Sequence, residues 1–143
     1  MDVGEVASKP VVACQPTATM AQAGRLMREH DIGCVVVVDE EQHPVGIVTD
    51  RDLVVRGVAN ERPPDATVAE VMSHEPVTIS SDRDTTEAAT HMATRQCRRL
   101  PVVDDRGHVV GVIAMDDLLM RADHTLDEIS RLVSSEVRSR RPG

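Results

Sequence analysis

The sequence predicts an α/β (α+β) chain made of two tandem β-α-β-β-α repeats. Three observations lead there. The chain repeats itself: Val3-Gly4-Glu5-Val6-Ala7 returns as Val68-Ala69-Glu70-Val71-Met72, and Val45 to Leu53 returns as Val110 to Leu118, both at an offset of 65 residues. Between them the offset is 66, since Pro10-Val11 returns as Pro76-Val77 and Thr19 to Glu29 as Thr85 to Arg95. Self-similarity of this length marks units that bury their faces against neighbours. Second, Val35-Val36-Val37-Val38 lacks polar alternation, the mark of a strand covered on both sides. Third, polar capping residues precede an apolar helical stripe in each half.

In chain order, Val11-Val12-Ala13 reads as a short strand after Pro10. Thr19 and Gln22 form a capping box opening a helix whose inner face is Ala23, Leu26 and Met27. Asp84 and Glu87 are expected to do the same before Ala89, Met92 and Ala93. The apolar strand Cys34 to Val38 and its counterpart Leu100 to Val103 lead through the polar turns 39–43 and 104–108. Those turns return into the strands Val45–Val48 and Val109–Ile113. A second helix then starts at Thr49 or Ala114, carrying Leu53-Val54-Val55 or Leu118-Leu119-Met120. Residues 1–60 thus form the first repeat and 61–67, with Pro63-Pro64, a linker. Residues 68–122 form the second repeat, and 123–143 a C-terminal helix with a basic tail. The stripe there is Leu126, Ile129, Leu132, Val133 and Val137, and the tail is Arg138, Arg140 and Arg141, a solvated end or a contact for an acidic partner.

Composition narrows the function classes. Phe, Trp and Tyr are absent, so the core is aliphatic and no aromatic platform exists for stacking bases. The net charge of −8 also opposes a general affinity for nucleic acid or anionic membranes. No apolar stretch is long enough to span a bilayer and no secretory leader opens the chain, so a cytoplasmic location is expected. Three widely spaced cysteines, Cys14, Cys34 and Cys97, fit neither a disulfide framework nor a zinc ribbon. Cys34 reads as a small buried hydrophobe, whereas Cys14 and Cys97 are open to pairing with each other or with a partner chain.

The chemistry concentrates at Gly46-Ile47-Val48-Thr49-Asp50-Arg51-Asp52, a strand-to-helix junction. Glycine there admits close approach of a ligand to the backbone. Thr49 places a hydroxyl beside free backbone amides, a natural phosphate position. Asp52, one turn later, is able to accept hydrogen bonds from a vicinal diol such as a ribose. Thr-x-x-Asp is equally a plain helix N-cap with its reciprocal acidic partner.

A twice-repeated unit of strand, helix, apolar strand and Gly-apolar-x-Thr-x-x-Asp resembles the cystathionine β-synthase (CBS) domain. Two in tandem resemble the CBS pair, or Bateman module, here as a stand-alone bacterial protein. The match spans about residues 3–121 and includes Arg99-Leu100-Pro101-Val102-Val103-Asp104 and the openings Glu5-Val6-Ala7 and Glu70-Val71-Met72. The resemblance implies a disc of two halves related by a pseudo-twofold, with clefts for adenine nucleotides (AMP, ADP, ATP) or S-adenosylmethionine-like ligands. No cofactor is required, and a homodimer formed through helices is expected. The first cleft would use Asp52 for the ribose, Thr49 near phosphate, Gly46, and the neighbourhood of Cys14, Cys34 and Val35 for the base. The second would use Asp117, Leu100 and Pro101, with Arg98 and Arg99 flanking. Those arginines are a source of phosphate-neutralising charge, or a solvated pair at a helix end.

Two departures stand out. The threonine position of the second repeat is Ala114, which leaves that cleft its diol acceptor but no hydroxyl, so it is expected to bind more weakly. Val35 stands where the second repeat has Pro101. No Ser/His/Asp order, GKS/T loop or HExxH motif appears, which argues against an enzyme. His43 and His108 occupy equivalent turns, but neither has a ligand at helical metal spacing, and no metal site is expected. Two functions follow: a sensor binding an adenosine-containing ligand and acting on an unknown protein partner, or a structural, stress-related interaction module with vestigial clefts.

Overall fold

A computed structural model describes residues 1–120 and 130–135. The helical turn α1 (Val3–Val6) is followed by β1 (Ala13–Cys14), α2 (Met20–His30), β2 (Cys34–Val38), β3 (Pro44–Thr49) and α3 (Asp50–Asp52). After a 3-10 turn at Val68–Glu70 come β4 (Ser73–His74), β5 (Ile79–Ser80), α4 (Thr85–Arg95), β6 (Arg99–Val103), β7 (Val109–Ala114) and α5 (Met115–Leu119). Strand, helix, strand, strand, helix therefore occurs twice, in the α+β class.

The polar caps act as local switches from extended chain to helix. Thr19 N donates to Gln22 Oε1 at 2.8 Å and Gln22 N donates to Thr19 Oγ1 at 3.0 Å, closing the capping box of α2. At α4 the expected box is only half made, a correction to the sequence reading. Asp84 accepts from Thr86 N at 2.9 Å, but Glu87 turns to Arg83 at 3.6 Å instead of back to the Asp84 amide. The first strand is also shifted: only Ala13–Cys14 is laddered, with Val12 contributing its carbonyl to Val36 N at 3.2 Å. The helix expected from Thr49 changes character after one turn. Leu53–Gly57 is a wider π turn and Val58–Asn60 a 3-10 turn, with the buried Gly57 packed so closely on Met20 that a Cβ would collide with the Met20 methyl.

By packing, the chain divides into two compact units. One holds Val11–Pro76 with Gly107–Val109; the other holds Met1–Pro10, Val77–Arg106 and the chain from Val110 onward. Sequence repeats and compact units are thus different partitions of the chain. The reason is an exchange of opening segments. In the first unit the sheet order is β1-β2-β3-β4, where β4 belongs to the opening segment of the second repeat yet pairs antiparallel with β3, Gly46 opposite His74 and Ile47 opposite Ser73. In the other unit the sheet β5-β6-β7 gains the same edge from the N-terminus, since Ser8 bridges Val112. Both compositions follow from one rule: the opening segment of each repeat lies against the third strand of the other repeat.

Each unit has its own aliphatic core, as a sequence without aromatics requires. One is built from Met20, Ala23, Met27, Val35, Val37, Val48, Val68, Val71 and Met72. The other is built from residues such as Val3, Met92, Leu100, Ile113, Met115 and Leu118, joined by Leu132. All five residues of β2 are buried, as the unbroken valine run predicts. Of the C-terminal stripe, residues 130–135 are helical, with Leu132 buried and Val133 exposed. Leu126, Ile129, Val137 and the tail arginines lie outside the described residues.

Candidate functional site

The antiparallel pairing of β2 with β3 brings Cys34 opposite Thr49 and Val35 opposite Val48. Asp50 N donates to Gly33 O at 3.0 Å, which fastens the start of α3 to the entry of β2. Thr49 is extended at φ −113° and ψ 164°, so the chain turns into helix with its side chain beside the new amides. Thr49 N donates to Asp52 Oδ2 at 2.9 Å, and Asp52 N donates to Thr49 Oγ1 at 3.1 Å. The N-cap and the carboxylate are therefore made from the same two residues, half-buried and mutually oriented. That arrangement holds one Asp52 oxygen on the backbone and leaves Oδ1 for another donor.

Arg56 brings a positive charge toward that oxygen and was not singled out from the sequence. Its Nε lies 3.8 Å from Asp52 Oδ1, and its Nη1 donates to Met72 O at 3.2 Å. The only sequence signal is the four-residue spacing between Asp52 and Arg56, which places them on one helical face. The consequence is that Asp52 is linked through one guanidinium to the segment that opens the second repeat.

Gly46 has a different role from the expected one. A Cβ there would sit 2.5 Å from Met72 Sδ and 2.9 Å from Ser73 O, so the missing side chain makes room for the exchanged segment and not for a ligand. Gly111 repeats the device, since a Cβ would lie 2.8 Å from Ser8 O. Cys14 is also set apart. It pairs with Val37, which is level with Gly46 and three residues along β2 from Cys34, roughly 10 Å at the usual strand rise. There it lines a surface depression of about 430 Å³ with Ala18, Gln22, Arg25, Leu26 and Glu29. Thr49, Asp52, Cys34 and Val35 are thus gathered at one end of the sheet, and Cys14 is not among them.

The second repeat reproduces the frame with one change. Met115 N donates to Arg98 O at 2.8 Å, so Arg98 lies beside the start of α5 as Gly33 lies beside α3. Arg99 opens β6 and is exposed, while Leu100 and Pro101 are buried behind it. Asp117 Oδ2 accepts from Ala114 N at 2.8 Å, but the Ala114 methyl returns no bond. Half of the cap survives.

The thiols offer little reactivity. No disulfide joins the three cysteines, and burial pushes the Cys14 and Cys97 thiols above their ordinary range, so both are protonated at neutral pH. Among the described residues no helix is long and apolar enough to cross a membrane.

The CBS domain family pattern matches residues 3–57 and 68–124. An uncharacterized protein of Methanopyrus kandleri is 42% identical over 120 residues, which are 83% of this chain and 61% of that protein. The fold is similar to that of the CBS domain protein PAE2072 from Pyrobaculum aerophilum in complex with AMP, at a TM-score of 0.79 and 25% identity over 91% of this chain and 98% of that one. It is also similar to the CBS domain pair of protein MJ0100 in complex with 5′-methylthioadenosine and S-adenosyl-L-methionine, at a TM-score of 0.76 and 26% identity over 85% of this chain and 94% of that one.

Proposed function

This chain belongs to the CBS domain family, and from that premise we propose that it is a non-catalytic regulatory module that binds an adenosine-containing ligand. The observation that carries the reading is the Thr49–Asp52 pair, held ready at the β3–α3 junction beside the entry of β2. Asp52 Oδ1 accepts from the ribose diol in place of its long contact with Arg56, and Thr49 lies toward the phosphate or the corresponding polar group. The base lies against the apolar neighbourhood of Cys34 and Val35. Ligands of this chemistry, AMP and S-adenosyl-L-methionine, occupy the similar proteins PAE2072 and MJ0100. The signal passes through Arg56, because the guanidinium that faces Asp52 also holds the Met72 carbonyl.

The second site, around Asp117, Arg98 and Arg99, binds more weakly because Ala114 lacks the hydroxyl. The protein works as a cytoplasmic homodimer on a partner protein. Val54, Val55 and Val58 in one unit, and Leu119 and Met120 in the other, expose apolar surface that a second copy covers. The experiment is a thermal-shift panel of AMP, ADP, ATP, S-adenosylmethionine and NAD on the full chain. A ligand at about 100 times its dissociation constant adds roughly 2.7 kcal/mol of stability. A panel without any shift favours the reading as an interaction module with vestigial clefts, in which Thr49 and Asp52 serve only as a cap.

A further inference from the structure

The turn between β2 and β3 gathers metal-ligating side chains away from the site above. Asp39 Oδ1 accepts from the amides of Glu41 and His43, each at 2.9 Å, so the turn folds around one carboxylate oxygen and leaves Oδ2 outward. His43 Nδ1 lies 3.3 Å from that Oδ2 and 3.6 Å from Glu41 Oε2. One ligand atom from each of the three residues falls within 4.8 Å of the others. These spacings are long for charge-assisted hydrogen bonds, which run about 2.7–2.9 Å. They suit donors sharing one tetrahedral ion, because metal–ligand bonds of about 2.0–2.2 Å separate neighbouring ligand atoms by about 3.4 Å.

A second imidazole, 65 residues further along the chain, packs beside His43 next to these three ligand atoms. The rings of His43 and His108 have centroids 5.2 Å apart and planes tilted by 47°. Val109 N donates to Gln42 O at 2.9 Å, which fastens the second turn to the first. Gly107, at φ +80°, turns the chain tightly there; even a Cβ would touch His43 Cδ2 at 3.5 Å. Two imidazoles bound to one tetrahedral zinc-sized ion, with metal–nitrogen bonds of about 2.0–2.1 Å, place their ring centres about 5.2 Å apart. All four residues fall within a single compact unit.

We propose that Asp39, Glu41, His43 and His108 form a binding site for one divalent transition-metal ion of the zinc type. Two imidazoles and two carboxylates are the donor set such ions accept, and softer thiolate ligands are not needed. The sequence carries the spacing as Asp-x-Glu-x-His, which lines one face of a strand but draws together only where the chain folds into a turn.

The test uses the full chain freed of metal by a chelator and titrated with Co²⁺ while visible absorption is followed, then with Zn²⁺ in competition. The expected result is one equivalent of cobalt giving the intense bands of tetrahedral coordination, displaced by zinc. Loss of partners outside the ligand set alone weakens metal binding about 10–100-fold, so His43→Gln and His108→Gln should each weaken it at least that much. Glu41→Gln, at a side chain 79% exposed, should weaken it without changing the melting temperature of the metal-free protein. Absence of binding up to millimolar cobalt overturns the proposal. So does unchanged affinity in either histidine variant, which would place the ion elsewhere.

Discussion

Thr49 and Asp52 cap each other: the Thr49 amide donates to the Asp52 carboxylate at 2.9 Å and the Asp52 amide to the Thr49 hydroxyl at 3.1 Å. In the second repeat Ala114 holds nearly the same backbone conformation, φ −115° and ψ 159° against −113° and 164°, and makes only one of the two bonds. Thr49→Ala should therefore cost about 1 kcal/mol, the usual value of a lost N-cap hydroxyl, and Ala114→Thr should gain a similar amount. Urea unfolding of both variants measures the pair. If Ala114→Thr is no more stable than the wild type, the two junctions are not equivalent frames.

Gly46→Ala and Gly111→Ala should both destabilise, by about 1–3 kcal/mol as overpacked sites do. Each new Cβ meets a backbone carbonyl, Ser73 O at 2.9 Å or Ser8 O at 2.8 Å, that cannot move without breaking the edge pairing of the exchanged segment. Denaturant midpoints decide the matter. A neutral effect at both glycines would remove the packing explanation and restore a ligand-side role for Gly46.

Two carboxylates are held below the usual range: Asp84 by hydrogen bonds from the Thr86 hydroxyl and amide, and Asp39 chiefly by the His43 amide. A depressed folded-state pKa stabilises fully above the unfolded value of 3.8 and loses that contribution as pH falls toward the folded value. Asp84→Asn keeps a capping oxygen and removes the titration. The melting temperature of that variant should fall less than the wild type's between about pH 5 and pH 3. Equal slopes would show that Asp84 does not contribute to acid sensitivity.

Particular residues show how far the sequence could be read. Thr19 with Gln22, the buried run Cys34–Val38 and the Thr-x-x-Asp junction are local signals, and each appears in the fold where local chemistry puts it. What escaped depends on contacts between distant segments. The docking of Ser73 on Ile47 and of Ser8 on Val112 leaves no periodicity, so Gly46 read as a ligand approach when it is a berth for chain. Cys14 was displaced because parallel register with β2 is invisible in sequence. Asp84 and Glu87 had the right spacing for a box, but Arg83 competes for the glutamate.

The exposed valines make the assembly testable. Val54 in the π turn and Val58 at the start of the 3-10 turn are 58% and 66% exposed, a costly surface unless another copy covers it. Light scattering of the full chain should give twice the chain mass, unchanged by reductant because no disulfide holds the chain. Val58→Asp should shift the mass to that of the monomer. A wild-type monomer at micromolar concentration would contradict the dimer.

The most direct test of the central claim is calorimetric titration of the full chain with the ligand that gives the largest thermal shift, in the wild type and in Asp52→Ala. Removing the charge-assisted bonds of Asp52 should cost about 1.5–3 kcal/mol of binding, a 10- to 100-fold loss of affinity. The wild type should show one dominant site per chain, because Ala114 leaves the second junction without its hydroxyl. Urea unfolding of the variant separates loss of the cap from loss of the ligand. Binding by Asp52→Ala as tight as by the wild type, or two equal sites per chain, would contradict the assignment of the ligand to the Thr49–Asp52 junction.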